Sequence, residues 1–284
     1  MNLVRRCLLV LVSALLFVTL GAASASASDN DFVLSRLCNG ASCVGGIENF
    51  KTLSRNISSL LAPGHFMPAN TLGLEGFEIG LESRFSFAAD DASWKAFKYT
   101  TNHGIKPDGN GVYAAPDYFA SIQMHLRKGL PMSLEFEGVL NWLVNSEMFY
   151  LGAGLRWAIL DNIHWAVPDL SVRGHVGTLV GSTDMNLINV NLDVALSYTW
   201  GLGGVVALTP YAGYSLLFSI ASSRAIFLGY NSKGQGIEDV FSQQTQLIHR
   251  AFVGIHLQAD YFVAAIEGEF GDTKVAGVKI GANF

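Results

Sequence analysis

From residue 71 to residue 284 the chain alternates apolar and polar side chains, breaks, and alternates again, about ten times over. A period of two puts every second side chain on one face, the signature of a strand with one greasy side. The segments are 76–87, 117–127, 131–142, 148–159, 169–180, 187–199, 205–217, 248–259, 261–270 and 274–284. In 76–87, Phe77, Ile79, Leu81, Phe85 and Phe87 share one face; Glu78, Glu82, Arg84 and Ser86 share the other. In 131–142, Met132, Leu134, Phe136, Leu140 and Trp142 oppose Ser133, Glu135, Glu137 and Asn141. In 187–199, Ile188, Val190, Leu192, Val194 and Leu196 oppose Asn189, Asn191, Asp193 and Ser197. Segment 205–217 is less regular, with Leu208, Ala212, Tyr214 and Leu216 set against Thr209, Tyr211 and Ser215.

Strands of water-soluble proteins usually run about 5–6 residues. A tilted strand that crosses a bilayer needs about 9–11, and these segments are that long or longer. Only 14% of residues are charged, against about 25% in an ordinary soluble domain. Beyond the N-terminus no run of 18 apolar residues exists, so no transmembrane helix can be drawn. The charges sit mainly on the polar faces: Glu78, Glu82, Arg84, Arg127, Glu135, Glu137, Arg156, Arg173, Asp193, Arg250, Glu267, Glu269 and Lys279, with His125, His175 and His256. A soluble sandwich, a lipocalin barrel or an open sheet would turn its apolar face inward and leave these groups to water. The expected fold is all-β: a transmembrane antiparallel up-and-down barrel of about ten strands, apolar outside, with a short N-terminal helical segment.

Connection lengths favour this choice over a soluble sheet. With the N-terminus placed in the periplasm, 88–116, 143–147, 181–186, 218–247 and 271–273 fall on the outside. Lys128–Leu130, 160–168, Gly201–Gly204 and Asp260 fall on the inside. The two long connections then share one side, as in transmembrane barrels, and the N- and C-termini share the other. Apolar runs at 94–100 and 226–230 are where an extra strand pair would hide. Phe87, Trp142, Phe149, Phe218 and Phe270 lie near the outer strand ends. Trp157, Tyr198, Trp200 and Phe284 lie near the inner ends. Two aromatic girdles are expected at membrane interfaces.

Residues 1–27 read as a secretory signal: Arg5 and Arg6, an apolar stretch Leu8–Leu20, and the small-x-small site Ala25-Ser26-Ala27, with Ser28 the first mature residue. Cleavage removes two arginines and no acid, moving the formal charge from −5 to about −7. Such an acidic balance gives no support for nucleic-acid binding. Cys7 lies within the signal. Cys38 and Cys43 are expected to form a disulfide in an oxidising compartment, two free thiols being the alternative. Residues 28–70 form a periplasmic or plug segment. In 46–61, Ile47, Phe50, Leu53, Ile57, Leu60 and Leu61 carry helical spacing, and Pro63, Gly64 and Pro68 end it. This helix is expected to pack on the barrel end, with a gating plug in the lumen as the other reading. Residues 71–284 form the barrel.

The last segment, Val275-Ala276-Gly277-Val278-Lys279-Ile280-Gly281-Ala282-Asn283-Phe284, alternates and ends in phenylalanine. It resembles the C-terminal signal of Gram-negative bacterial outer-membrane β-barrel proteins. With the signal peptide and strands, the resemblance covers about 71–284. It implies location in the cell outer membrane, lipid as a partner, and reading of Phe284 by the barrel-assembly machinery. Lys128-Gly129-Leu130-Pro131 and Leu208-Thr209-Pro210-Tyr211-Ala212-Gly213-Tyr214 are similar to stretches of small envelope barrels.

Catalytic signals are weak. Asp90, Asp91 and His103 resemble the omptin proteases only as a paired outer acid with a distant histidine; 218–247 has no histidine to complete an Asp-x-His pair. Asp161-Asn162-Ile163-His164 reads as turn chemistry. His125, His175 and His256 lie on separate strands and read as satisfied interior side chains. No enzyme, cofactor or metal site is expected. Opposite charges should pair across a narrow lumen, because an unpaired buried ion costs several kcal/mol. The expected function is a structural or surface-interaction barrel with a mostly closed, salt-bridged lumen and a surface ligand of unknown identity. The alternative is a narrow solute or ion channel gated by the N-terminal segment.

Overall fold

The computed structural model describes residues 31–38, 42–88, 118–161, 167–203 and 205–284. Ten long antiparallel strands close into a barrel: β1 (Phe77–Ala88), β2 (Phe119–Leu130), β3 (Leu134–Leu143), β4 (Phe149–Leu160), β5 (Asp169–Val180), β6 (Met185–Ser197), β8 (Val206–Ser223), β11 (Gln244–Ala259), β12 (Phe262–Phe270) and β13 (Thr273–Asn283). Each pairs with the next. β8 pairs with β11, and β13 returns to β1 through registers such as Glu82↔Lys279. A short strand β7 (Trp200–Leu202) adds to β8. A hairpin of β9 (Ile226–Tyr230) and β10 (Gly236–Asp239) forms a separate two-stranded sheet.

Side chains obey the two-residue period all round the wall. Odd positions of β1 face outward and its even positions are buried. Leu155, Val190, Val253, Ile266 and Val278 are about half exposed on the outer surface. With so much apolar area outside and charge inside, the barrel is suited to hydrocarbon, where every strand has its edges paired.

Four details depart from the sequence expectation. The β2–β3 connection is residues 131–133, not Lys128–Leu130, which end β2; Met132 therefore lies in a turn. Met132 (φ 61°) and Ser133 (φ 56°) both adopt left-handed backbone, as a tight hairpin turn demands. Neither residue type advertises that conformation. Gly201 is not a free connection but pairs with Ala207. The stretch 218–247 is largely strand: β8 runs 18 residues and β11 runs 16, and β9–β10 lies between them without entering the wall. The pair suspected at 226–230 thus exists but does not raise the strand count of the barrel; 94–100 lies outside the described residues.

The fourth departure is the largest. The helix α1 (Ile47–Leu61) does not cap the barrel; it enters it. It touches β1, β2, β3, β6, β8, β11 and β13, which surround it. Its N-terminal end lies at the mouth where β1 ends, beside Phe241, 4.9 Å from Phe50 ring to ring. Residues 62–72 then run down the lumen to the opposite mouth, where β1 starts. At the first mouth the Leu34 amide donates to Asp184 and the Glu147 amide to Asp31, both in connections of that end. At the second mouth Phe284 and Phe77 exchange backbone hydrogen bonds. The strand termini share one side, as expected, but residue 31, the first described, is on the other; the chain's N-terminal end lies outside the described residues.

The lumen is packed in two halves. In the half entered first, the apolar stripe of α1 (Phe50, Leu53, Ile57, Leu60, Leu61) meets inward apolar wall residues including Phe119, Leu143, Leu179 and Leu187. The other half is charged.

Candidate functional site

Twelve of the thirteen charged wall residues read from the sequence form buried ion pairs in the lumen. Cross-strand neighbours set many of these pairs, since facing residues on adjacent strands share a side. Arg127 lies 3.1 Å from Glu78 and 2.7 Å from Glu135. Arg156 lies 2.6 Å from Glu135 and 3.9 Å from Glu137. Arg173 bridges Asp193, through Nε at 2.5 Å, and Glu137 at 3.5 Å. Lys279 reaches Glu78 at 2.6 Å and Glu82 at 3.7 Å. Arg84 and Arg250 share Glu269, the latter at 2.7 Å. His125 links Glu82 (3.0 Å) to Glu137 (3.6 Å). Chaining acids and bases in this way offsets the desolvation that isolated ions would suffer.

Glu267 is the exception. Its carboxylate accepts the amides of His65 (2.8 Å) and Phe66 (2.7 Å) and the Tyr211 hydroxyl (2.8 Å). Among the described residues its partners thus include the main chain of the N-terminal segment, not a cation. The wall cations do the converse. Arg84 donates to the carbonyls of Leu60 (2.7 Å) and Ala62. Arg173 donates to Gly64 O (2.9 Å), Lys279 to Phe66 O (3.4 Å), and Arg156 to Pro68 O (2.5 Å) and Asn70 O (2.8 Å). The carbonyls that these cations bond fall on alternate residues, from Leu60 in the last turn of α1 to Asn70, with Phe66 in left-handed backbone (φ 45°), and Asn141 donates to the Leu61 carbonyl (3.1 Å) between the first two. Ser197 and Glu135 accept the amides of Ala69 (2.8 Å) and Leu72 (2.6 Å). A buried segment with no sheet partner must find such bonds somewhere, and here side chains of the wall supply them.

Glycines on the lumen face give the threaded segment its room. An added Cβ at Gly277 would lie 2.5 Å from the Phe66 ring, and one at Gly254 2.3 Å from the Tyr211 ring. Gly80 makes space for Lys279, and Gly213 for Phe252. They therefore accommodate rings and a lysine more than arginines, and at these positions leave no gap.

Cys38 and Cys43 are joined by a disulfide at the mouth where α1 enters. His175 and His256 face inward; neither nitrogen of His175 finds a hydrogen-bond partner among the described residues, so it is not the satisfied side chain expected. Sequence reasoning missed Ser197, Ser219, Gln246 and Thr273 as contacts of the threaded segment. Inward parity was the available signal for Ser197; the other three lie in stretches read as connections. Among the described residues no cluster of His, Cys, Asp and Glu could hold a metal ion. The signal peptide with Cys7, Asp90, Asp91, His103 and His164 lies outside the described residues.

A closed antiparallel wall, an apolar exterior with aromatic rims and a charged, filled interior define a transmembrane β-barrel of the outer-membrane class. Neither the family models nor the curated protein sequences compared with the chain match it. Among solved structures it is similar to Ail, the attachment invasion locus protein of Yersinia pestis, at 12% identity over 74% of this chain and 99% of that one, TM-score 0.27. It is also similar to the KdgM porin (7%, 73% and 99%, TM-score 0.34) and to an outer membrane channel from Pseudomonas putida F1 (11%, 78% and 99%, TM-score 0.33). At these values the likeness adds nothing to the architecture described above.

Proposed function

We propose that the protein is a closed, plugged outer-membrane barrel that serves as a structural anchor and surface-interaction module. One observation carries this reading: residues 47–72 occupy the lumen from mouth to mouth and are bonded to the wall along their length. A ten-stranded barrel is only a little wider than the eight-stranded kind that side chains fill, and this one holds a helix as well. Among the described residues, the β9–β10 hairpin projects from the mouth of the long connections, with Phe227 and Tyr230 exposed and the disulfide-bonded Cys43 donating its amide to Asp239 of β10. In this reading bilayer lipid covers the outer face, and the barrel-assembly machinery reads the terminal Phe284, whose ring is exposed.

The second reading is a narrow channel opened by movement of the plug. It is favoured by a vestibule of about 400 Å³ at the mouth near Pro68, Asn70 and His256. Liposome swelling in a small sugar tests the first reading on the full chain, which should show none. Rapid swelling would overturn it. Replacing Ser58 and Ser219, whose hydroxyls lie 2.6 Å apart, by cysteines would tether plug to wall. Swelling that stops on oxidation and returns on reduction would establish the gated channel instead.

A further inference from the structure

We propose that the lumen is a tract for a polypeptide segment held by its main chain, and that it carries the chain's own N-terminal segment to the membrane face opposite the strand termini. This rests on the membrane-barrel reading above. Two independent observations meet here.

The first is topological. Glu48 and Leu74 lie near opposite mouths, yet no wall strand runs between them in sequence. Only α1 and the run to residue 72 connect them, and both are inside the barrel. At the mouth nearer residue 31, the β8–β11 connection carries a whole hairpin. At the other, β11 and β12 are joined by Asp260 and Tyr261 alone. Outer-membrane barrels keep short turns in the periplasm and long connections outside. Residues 31–38 and 42–48 are therefore on the external side, although β1 starts and β13 ends on the periplasmic side.

The second is chemical. The wall reads residues 60–72 by their main chain. Four cations, Arg84, Arg173, Lys279 and Arg156, take successive alternate carbonyls, while Glu267, Ser197 and Glu135 take amides between and beyond them. Carbonyls and amides are common to polypeptides, whereas a sugar or an ion offers no such two-residue repeat. The ligand class this lumen fits is a polypeptide main chain, with side chains selected at His65, stacked on Phe252 at 4.7 Å, and at Phe66, whose ring fills the space at Gly277.

Single free thiols test this on the full chain with its disulfide kept and Cys7→Ser removing the remaining thiol. Glu48→Cys reports the N-terminal segment, since Glu48 is 81% exposed. Tyr230→Cys and Met132→Cys (73% and 80% exposed) report the two mouths. A membrane-impermeant maleimide is applied to intact Gram-negative cells and to lysed ones. Glu48→Cys and Tyr230→Cys should label in intact cells, and Met132→Cys only after lysis. If Glu48→Cys behaves like Met132→Cys while Tyr230→Cys labels outside, the barrel orientation holds and the threading is wrong. If Tyr230→Cys and Met132→Cys do not separate, the membrane reading itself fails and the proposal with it. Changing Met67, Asn70 and Thr71 together to alanine should leave the labelling of Glu48→Cys unchanged. Loss of that label with Tyr230→Cys still outside would show that side chains, not main chain, hold the segment.

Discussion

Replacing Glu135 by glutamine keeps the shape of the side chain and removes one charge from the point where the lumen network meets the threaded segment. One oxygen of Glu135 lies 2.7 Å from Arg127 Nη2, 2.6 Å from Arg156 Nη2 and 3.0 Å from Arg156 Nε. The other accepts the Leu72 amide at 2.6 Å. A glutamine can keep one side of this arrangement, but its NH₂ must then face a donor on the other. Removing one partner of a buried ion pair costs about 3–5 kcal/mol. Two arginines are affected, but the cost does not double. Arg127 retains Glu78 at 3.1 Å, and Arg156 retains Glu137 at 3.9 Å and two main-chain carbonyls. A loss of about 3–5 kcal/mol in total is therefore expected, a factor of roughly one hundred to a few thousand in the folding equilibrium at about 1.4 kcal/mol per decade. Urea titration in lipid vesicles, followed by tryptophan fluorescence, measures it. Glu48→Gln is the control, because the exposed Glu48–Lys51 pair at 3.8 Å should contribute about 0–1 kcal/mol. If Glu135→Gln cost no more than that control, the carboxylate would not be balancing buried charge, and the lumen would be wet enough to screen it.

Three further outcomes are expected. Gly277→Ala should cost about 1–3 kcal/mol by overpacking and expose residues 62–72 to protease, since its Cβ would meet the Phe66 ring at 2.5 Å; unchanged protease resistance would count against the packing. Val190→Arg on the outer face should cost about 2–4 kcal/mol near the midplane, read in the same titration; a neutral effect would remove lipid from that face. Asp239 accepts the Cys43 amide at 2.7 Å, and the backbone bonds from Cys43 and Val240 hold its carboxyl below the ordinary 3.8. The contact is then fully present above that ordinary value and lost as pH falls through the lowered one. The protection factor of the Cys43 amide, taken against the intrinsic exchange rate at each pH, should fall in that window, and Asp239→Asn should abolish the dependence.

The wall was legible because its code is binary: each strand residue points in or out, and one wrong step would invert a whole segment. Glu78, Glu82, Arg84 and the rest of the lumen set could be placed from parity alone. The turn at 131–133 was not legible, because Met132 and Ser133 carry no preference for left-handed backbone. The extensions of β8 and β11 were hidden for another reason. Ser219–Ser223 and Gln244–Gln246 continue the pairing where the membrane no longer demands apolar side chains. The threaded segment was half legible. The stripe on α1 showed that it needs an apolar partner, and Pro63 and Gly64 marked its end. Nothing in residues 62–72 shows a period, because their contacts are made by carbonyls and amides that every residue shares. For the same reason Glu267 looked like another member of the ion-pair set.

The alternate-carbonyl ladder also shapes how relatives of this chain can diverge. A contact made through a backbone carbonyl survives almost any substitution at the residue that owns it, but not the loss of the side chain that donates to it. Drift should therefore be lopsided. A position such as Asn70 is free to change, while Arg84, Arg156 and Arg173 are held by two obligations each, to a carboxylate and to the thread. Phe66 breaks the pattern, since its ring occupies the space that Gly64 and Gly277 leave. Those three positions should change together or not at all.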